Sequence, residues 1–247
     1  MFTILLALCL TLPGGMARAD TVDWASLSED QVSEITASVT NDLYHEMGHA
    51  LIDLMDLPVL GNEEDAADIM LVFLINAIWE EDPAEQVMRA SLATWSAIAA
   101  ENAGGEPDWW DEHGPDRKRI ATMACLFYGA NPEGRAAFAK DLEIPEERAE
   151  SCADDYAQAE RSWGAFFQEL VDAGPGKTMV WDEPEEETPL TEAIRSEVDY
   201  FNSILSLPRE MHVRVAPCGE ANAFYDPAEP AITICAESAL QVVDRLR

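Results

Sequence analysis

The sequence predicts a mainly helical α+β fold, and three observations carry that prediction. Apolar residues recur at spacings of three and four along most of the chain, the period of one face of an α-helix. Strict two-residue alternation is confined to the stretch from 211 to 235. Breaks rich in Gly and Pro divide the helical stretches. With 247 residues, 48% of them hydrophobic, the chain is long and apolar enough to bury a core, either as one large domain or as two small ones.

The N-terminus reads as a cleavable signal peptide, residues 1–19. An apolar run over 2–12 is broken by Pro13-Gly14-Gly15, and Ala17-Arg18-Ala19 has the small-x-small form of a cleavage site after Ala19. The run is too short to span a bilayer, although no Lys or Arg precedes it. This predicts a periplasmic or secreted protein with no membrane span once the signal is removed. Residues 20–247 then read as a single domain with three parts: a helical part over 20–172, an acidic linker over 173–189, and a helix plus β-hairpin over 190–247.

The first helix is expected over 28–55, with Ser28 as its cap. Val32, Ile35, Val39, Leu43, Met47, Ala50 and Leu54 form one apolar stripe, and Tyr44, Leu51, Ile52 and Met55 add apolar surface elsewhere, so the helix should be buried on most sides. Pro58 and Gly61 end it, and Asn62 caps the next helix, whose apolar run over 69–79 marks a core element rather than a membrane span. Further helices are expected after Pro83 and over 116–128, 132–140, 145–170 and 192–205. The segment 211–216 reads as a strand, and 221–225 with 231–235 as a hairpin around Asp226-Pro227-Ala228-Glu229-Pro230.

Forty-eight acidic residues against fifteen basic ones give a formal net charge of −33. The charge argues against nucleic acid and anionic membrane surfaces as partners, because both require basic patches. Two readings of the charge stay open: solubility in salt, and a preference for cationic substrates. Without the signal segment four cysteines remain, Cys125, Cys152, Cys218 and Cys235, an even number that suggests two disulfides in an exported protein. Of the three possible pairings the local one is expected, Cys125–Cys152 and Cys218–Cys235. The second pair would sit at the open end of the hairpin.

The most informative string is His45-Glu46-Met47-Gly48-His49, the HExxH arrangement of zinc metallopeptidases. Two imidazoles four residues apart leave one face of a helix together and can grip one ion, and the intervening Glu46 can act as general base on a metal-bound water. Catalytic zinc takes a third protein ligand. Glu64, fifteen residues beyond His49 in the first turn of the next helix, is the candidate, with Glu63 the alternative. Acids also favour helix N-termini for dipole reasons. That does not account for Asp68, one turn beyond Glu64, which could orient His45 or His49. Asp53, one turn after His49, either orients that histidine or is a solvated acid.

On these residues the chain resembles the gluzincin group of zinc metallopeptidases, in which HExxH is followed by a Glu-x-x-x-Asp helix. More closely it resembles a bacterial family of uncharacterised zinc metallopeptidases. The likeness is carried by residues 44–53, Leu57-Pro58-Val59-Leu60-Gly61, Glu63-Glu64-Asp65-Ala66-Ala67-Asp68, Trp110-Asp111-Glu112-His113, Cys125-Leu126-Phe127-Tyr128-Gly129 and residues 218–227. It implies a zincin-like helical domain, Zn2+ as cofactor, and a peptide or protein as substrate. Membrane-associated gluzincins carry a His followed six residues later by Arg-Ile, a spacing met by His113, Arg119 and Ile120. The resemblance thus implies that His113 or Arg119 stabilises an oxyanion, the alternative being a solvated His and a salt-bridged Arg at a helix start. Many family members carry the hairpin before the HExxH helix, whereas here it comes last. It is expected to pack back on that helix and supply a substrate-binding sheet edge, with Tyr225 a candidate hydrogen-bonding group. His212 reads as structural. A catalytically inactive exported zinc-binding module is the alternative to the peptidase.

Overall fold

The computed structural model describes residues 22–105 and 110–246, so the signal-peptide segment lies outside the described residues. Among the described residues there are eight α-helices and one four-stranded sheet, the helical α+β class that the periodicity predicts. None of these helices is long and apolar enough to cross a membrane.

Helix α1 (Glu29–Leu54) is the axis of the molecule. Its first turn is closed by a capping box: the Ser28 hydroxyl accepts from the Gln31 backbone N–H, and the Gln31 side chain accepts from the Ser28 backbone. From Ile35 onward its residues are buried on nearly every side. Helix α2 (Glu63–Ile78), α3 (Glu81–Glu101), α7 (Pro189–Ile204), α8 (Glu237–Arg245) and part of the sheet all pack around it. Asp56 adopts the left-handed conformation (φ 52°), which turns the chain so that the Leu57 N–H reaches the Ile52 carbonyl. Asn62 then caps α2 by accepting from the Glu64 N–H at 2.8 Å.

The crossing of α1 and α2 is unusually close because Gly48 has no side chain. A Cβ there would lie 2.7 Å from the Cα of Ala67. Gly48 sits between the two histidines, and Ala67 sits between Glu64 and Asp68, so the contact that requires glycine also faces the turns bearing these four side chains toward each other.

Helices α4 (Asp116–Ala130) and α6 (Glu146–Asp172) cover α2, and α5 (Ala136–Asp141) packs on α4. The Cys125–Cys152 disulfide joins α4 to α6. Arg135 is buried beneath them, paired with Glu81 at 2.7 Å and hydrogen-bonded to Asn76 and to the Phe127 carbonyl. Helix α5 begins later than the expected 132, because the Asn131 side chain accepts from the Gly134 N–H and holds those residues in a turn.

The sheet has the order β1-β2-β4-β3. Strand β2 (Met211–Ala216) lies between β1 (Met179–Trp181) and β4 (Ala231–Cys235), parallel to both. Strand β3 (Ala223–Asp226) is antiparallel to β4 and forms one edge, as the hairpin pattern predicts. Two elements depart from the sequence reading. The supposed linker 173–189 contains β1, whose pairing with β2 compensates for its three-residue length. Helix α8 was not expected; its Ala239, Val242 and Val243 are buried, and so is the guanidinium of Arg245. Cys218–Cys235 closes the open end of the hairpin, so both disulfides follow the local pairing.

Candidate metal centre and cleft

His45 and His49 leave α1 one turn apart and point across the Gly48–Ala67 contact at the first turn of α2. Their Nε2 atoms are 3.2 Å apart. Glu64 Oε2 lies 3.0 Å from the Nε2 of His45 and 3.4 Å from that of His49. Among the described residues, these three side chains form the group of donors close enough together to hold a metal ion.

The remaining ring nitrogens decide what this triangle presents. His45 Nδ1 is 3.0 Å from Asp68 Oδ1, and His49 Nδ1 is 2.9 Å from Glu63 Oε1. An Nδ1–H donated to a carboxylate leaves the Nε2 lone pair free, the tautomer a metal requires. Two lone pairs and a carboxylate oxygen then converge on one point, which is repulsive unless a cation or protons occupy it. The three edges also suit an ion. Four ligands held tetrahedrally at zinc-like bond lengths stand about 3.3 Å from one another. Protons compete for the same place: burial disfavours a charged His45, but hydrogen bonds to Asp68 and Glu64 outweigh burial and push its pKa up to about 9. Burial alone would raise Glu64, yet hydrogen bonds from His113, His45 and His49 hold it far below the usual carboxylate range.

Asp68 is itself anchored. Arg119 Nε donates to Asp68 Oδ2 at 2.7 Å and its NH2 donates to Oδ1 at 2.7 Å, while the guanidinium lies over the Trp95 ring, 4.1 Å from its centroid. The guanidinium is buried and committed to this pair, so the expected oxyanion role for Arg119 gives way to a positioning one: Arg119 holds Asp68, and Asp68 holds His45. His113, half-exposed, reaches Glu64 Oε2 with its Nε2 at 3.1 Å and Asp111 with its Nδ1 at 3.1 Å. Asp53 does not orient His49. It accepts from the Tyr225 hydroxyl at 2.7 Å and from Arg209 at 3.1 Å, tying the end of α1 to the hairpin. His212 pairs with Asp182 on the sheet, and neither lines the cleft.

The histidines open into a cavity of about 990 Å3 between α1, α2, α3 and α8. One wall is β3, the hairpin edge, represented by Ala223, Phe224 and Tyr225. Glu46 faces this space; burial raises its pKa, which the two histidines and hydrogen bonding from the Tyr225 backbone partly offset. One turn before Glu46, Asp42 lines the same cavity, and burial together with Glu46 pushes it up to about 7. The sequence reading missed Asp42 as a cleft residue, although its i−4 spacing from Glu46 places it on the same helix face.

Fold and site together describe a helical α+β chain in which His45 and His49 of α1 and Glu64 of α2 could hold a metal ion beside a cleft. The chain matches a family model described as "Putative metallopeptidase" over residues 6–167 and 185–246, and it belongs to that family, DUF4344. Comparison with curated proteins gives no match, nor does comparison with solved structures.

Proposed function

We propose that the protein is an exported zinc metallopeptidase that hydrolyses peptide bonds in its cleft. The observation that carries the reading is the convergence of His45 Nε2, His49 Nε2 and Glu64 Oε2 with both histidine tautomers set by carboxylates. Nitrogen and carboxylate donors in a three-membered set suit zinc in its catalytic form. When bound, the zinc supplies Lewis acidity, lowering the pKa of water and polarising a carbonyl.

Glu46 is the general base. It lies beside the donors on the cleft face of α1, takes a proton from the attacking water and passes it to the leaving amine. His113, held at the mouth by Asp111 and Glu64, donates to the developing oxyanion. Arg119 and Asp68 keep His45 oriented. The substrate backbone lies along the edge of β3, which lines the cleft and whose Tyr225 backbone is hydrogen-bonded to Glu46. The two disulfides accord with export to an oxidising compartment, periplasmic or extracellular.

The test couples metal content to turnover. Elemental analysis of purified protein should give one zinc per chain, and a peptide library should be cleaved in a chelator-sensitive way. Glu46→Gln should retain the zinc and lose cleavage by about 100-fold or more. Wild-type cleavage by that variant would remove Glu46 from the mechanism. An absence of any bound divalent metal would end the reading.

A further inference from the structure

Past Glu46 the cleft continues inward along α1 to residues that hydrolysis does not use. Asp42 lines this stretch, and among the described residues its carboxylate has no hydrogen-bond partner. Asn41 is 1% exposed and Ser91 2% exposed, both in the same lining, and Asn41 Oδ1 and Ser91 Oγ have no hydrogen-bond partner. The Asn41 amide nitrogen is already used, donating to the Ala37 and Val87 carbonyls, so the oxygen is the end left over. Ser38 and Thr94 bond to each other at 2.9 Å beside them. Buried polar atoms without partners are costly and uncommon, and here two of them share a cavity with an unbonded carboxylate.

We propose that this inner stretch is a cation-binding subsite in which Asp42, Asn41 Oδ1 and Ser91 Oγ receive the basic side chain of a lysine or arginine close to the scissile bond. The proposal rests on the peptidase reading of the cleft. The chemistry of the wall selects the class. Asp42, Asn41 and Ser91 offer a carboxylate, an amide oxygen whose own N–H groups are already used, and a hydroxyl, so together they match a group rich in N–H donors better than an anion or a carbonyl. The nearby arginines do not fill it. Arg119 is taken by Asp68 and Trp95, and the Arg245 guanidinium acts on Asp42 through its field while making no hydrogen bond. Asp42 also faces Glu46, and a bound ammonium or guanidinium that paired with it would relieve the repulsion between the two carboxylates.

The test uses binding as well as turnover. Pairs of N-acetylated, C-amidated peptides differing by Lys against norleucine at one position are titrated by calorimetry into the zinc-loaded Glu46→Gln protein. At the position that enters the subsite, the lysine peptide should bind about tenfold tighter or better, and Asp42→Asn in the same background should abolish the difference. Equal affinity of the two peptides at every position overturns the proposal. So does a lysine preference that survives Asp42→Asn and fades in 0.5 M salt, because the overall negative charge then explains it. Circular dichroism checks that Asp42→Asn folds. If it does not, Thr94→Lys, which sets an ammonium in the cavity from α3, should remove the preference, and its persistence overturns the subsite. Lysine-selective binding with no cleavage of any peptide by wild type would sink the peptidase and leave the subsite standing. Cleavage indifferent to lysine would do the reverse.

Discussion

At the scale of single residues, the centre is a relay of charge from Trp95 and Arg119 through Asp68 to His45. Asp68 is not one of the three converging donors, so its removal should leave them present but poorly aimed. Asp68→Asn is expected to weaken metal affinity about 10- to 100-fold, read by competition with a chromophoric chelator, with Glu64→Ala losing more. Asp42 gives a prediction of the opposite kind. Its pKa is 3.8 in its unperturbed state and about 7 in the fold, so the folded protein binds the extra proton between those values and loses stability as pH rises across them. The penalty is absent below 3.8 and complete above 7. Asp42→Asn should therefore melt at a higher temperature than wild type at pH 8 and at the same temperature at pH 3. Equal melting temperatures at pH 8 would show that Asp42 ionises in the fold without cost. The HExxH string made His45, Glu46 and His49 legible in the sequence, and helical spacing made Glu64 and Asp68 legible beside them. Arg119 could be noticed but not placed. Nothing in a linear pattern distinguishes a guanidinium that faces substrate from one locked on a carboxylate 51 residues away.

At the scale of elements, the site is a product of one helix crossing. Gly48 lets α1 approach α2 until the turns bearing His45, His49, Glu64 and Asp68 meet. Gly48→Ala puts a methyl 2.7 Å from the Ala67 backbone, and backbone cannot rotate aside as a side chain can. Overpacking of this kind costs about 1–3 kcal/mol. We expect Gly48→Ala to lower the melting temperature and to reduce metal affinity at the same time, because separation of the helices withdraws Glu64 from the histidines. A variant that loses stability but keeps full metal affinity would show that the crossing and the centre are independent. The helices and the hairpin were legible because each carries its own apolar period, and α1 and α2 also carry caps in Ser28 and Asn62. Strand β1 was not. Three residues between Gly174-Pro175-Gly176 and an acidic stretch have no period to read, and what makes them a strand is β2 alongside. Helix α8 was missed for a similar reason: nine residues at the end of the chain become a helix because a buried place beside α1 awaits Ala239, Val242 and Val243.

At the scale of the whole molecule, the excess of thirty-three negative charges opposes compaction, and the few basic residues are spent on particular pairs such as Arg119–Asp68 and Arg135–Glu81. Salt screens the repulsion between exposed acids over a Debye length of about 10 Å at 0.1 M and leaves buried pairs nearly untouched. Raising sodium chloride from about 10 mM to about 0.3 M should therefore raise the melting temperature, in contrast to a fold held together by surface ion pairs. A falling melting temperature would mean that the exposed pairs matter more than the net charge. The fold class was legible from periodicity alone, but the arrangement of the chain around α1 was not, since long-range packing leaves little trace in local spacing. The hairpin illustrates this: β3 lies beside Glu46 although most of the polypeptide separates them. That separation has a consequence in time. During synthesis the histidines emerge long before the wall that completes their groove, so a half-made chain bears His45, His49 and Glu64 without a bed on which to lay another polypeptide. Any reactivity the groove has is thus postponed until the last strand arrives and Cys218 finds Cys235.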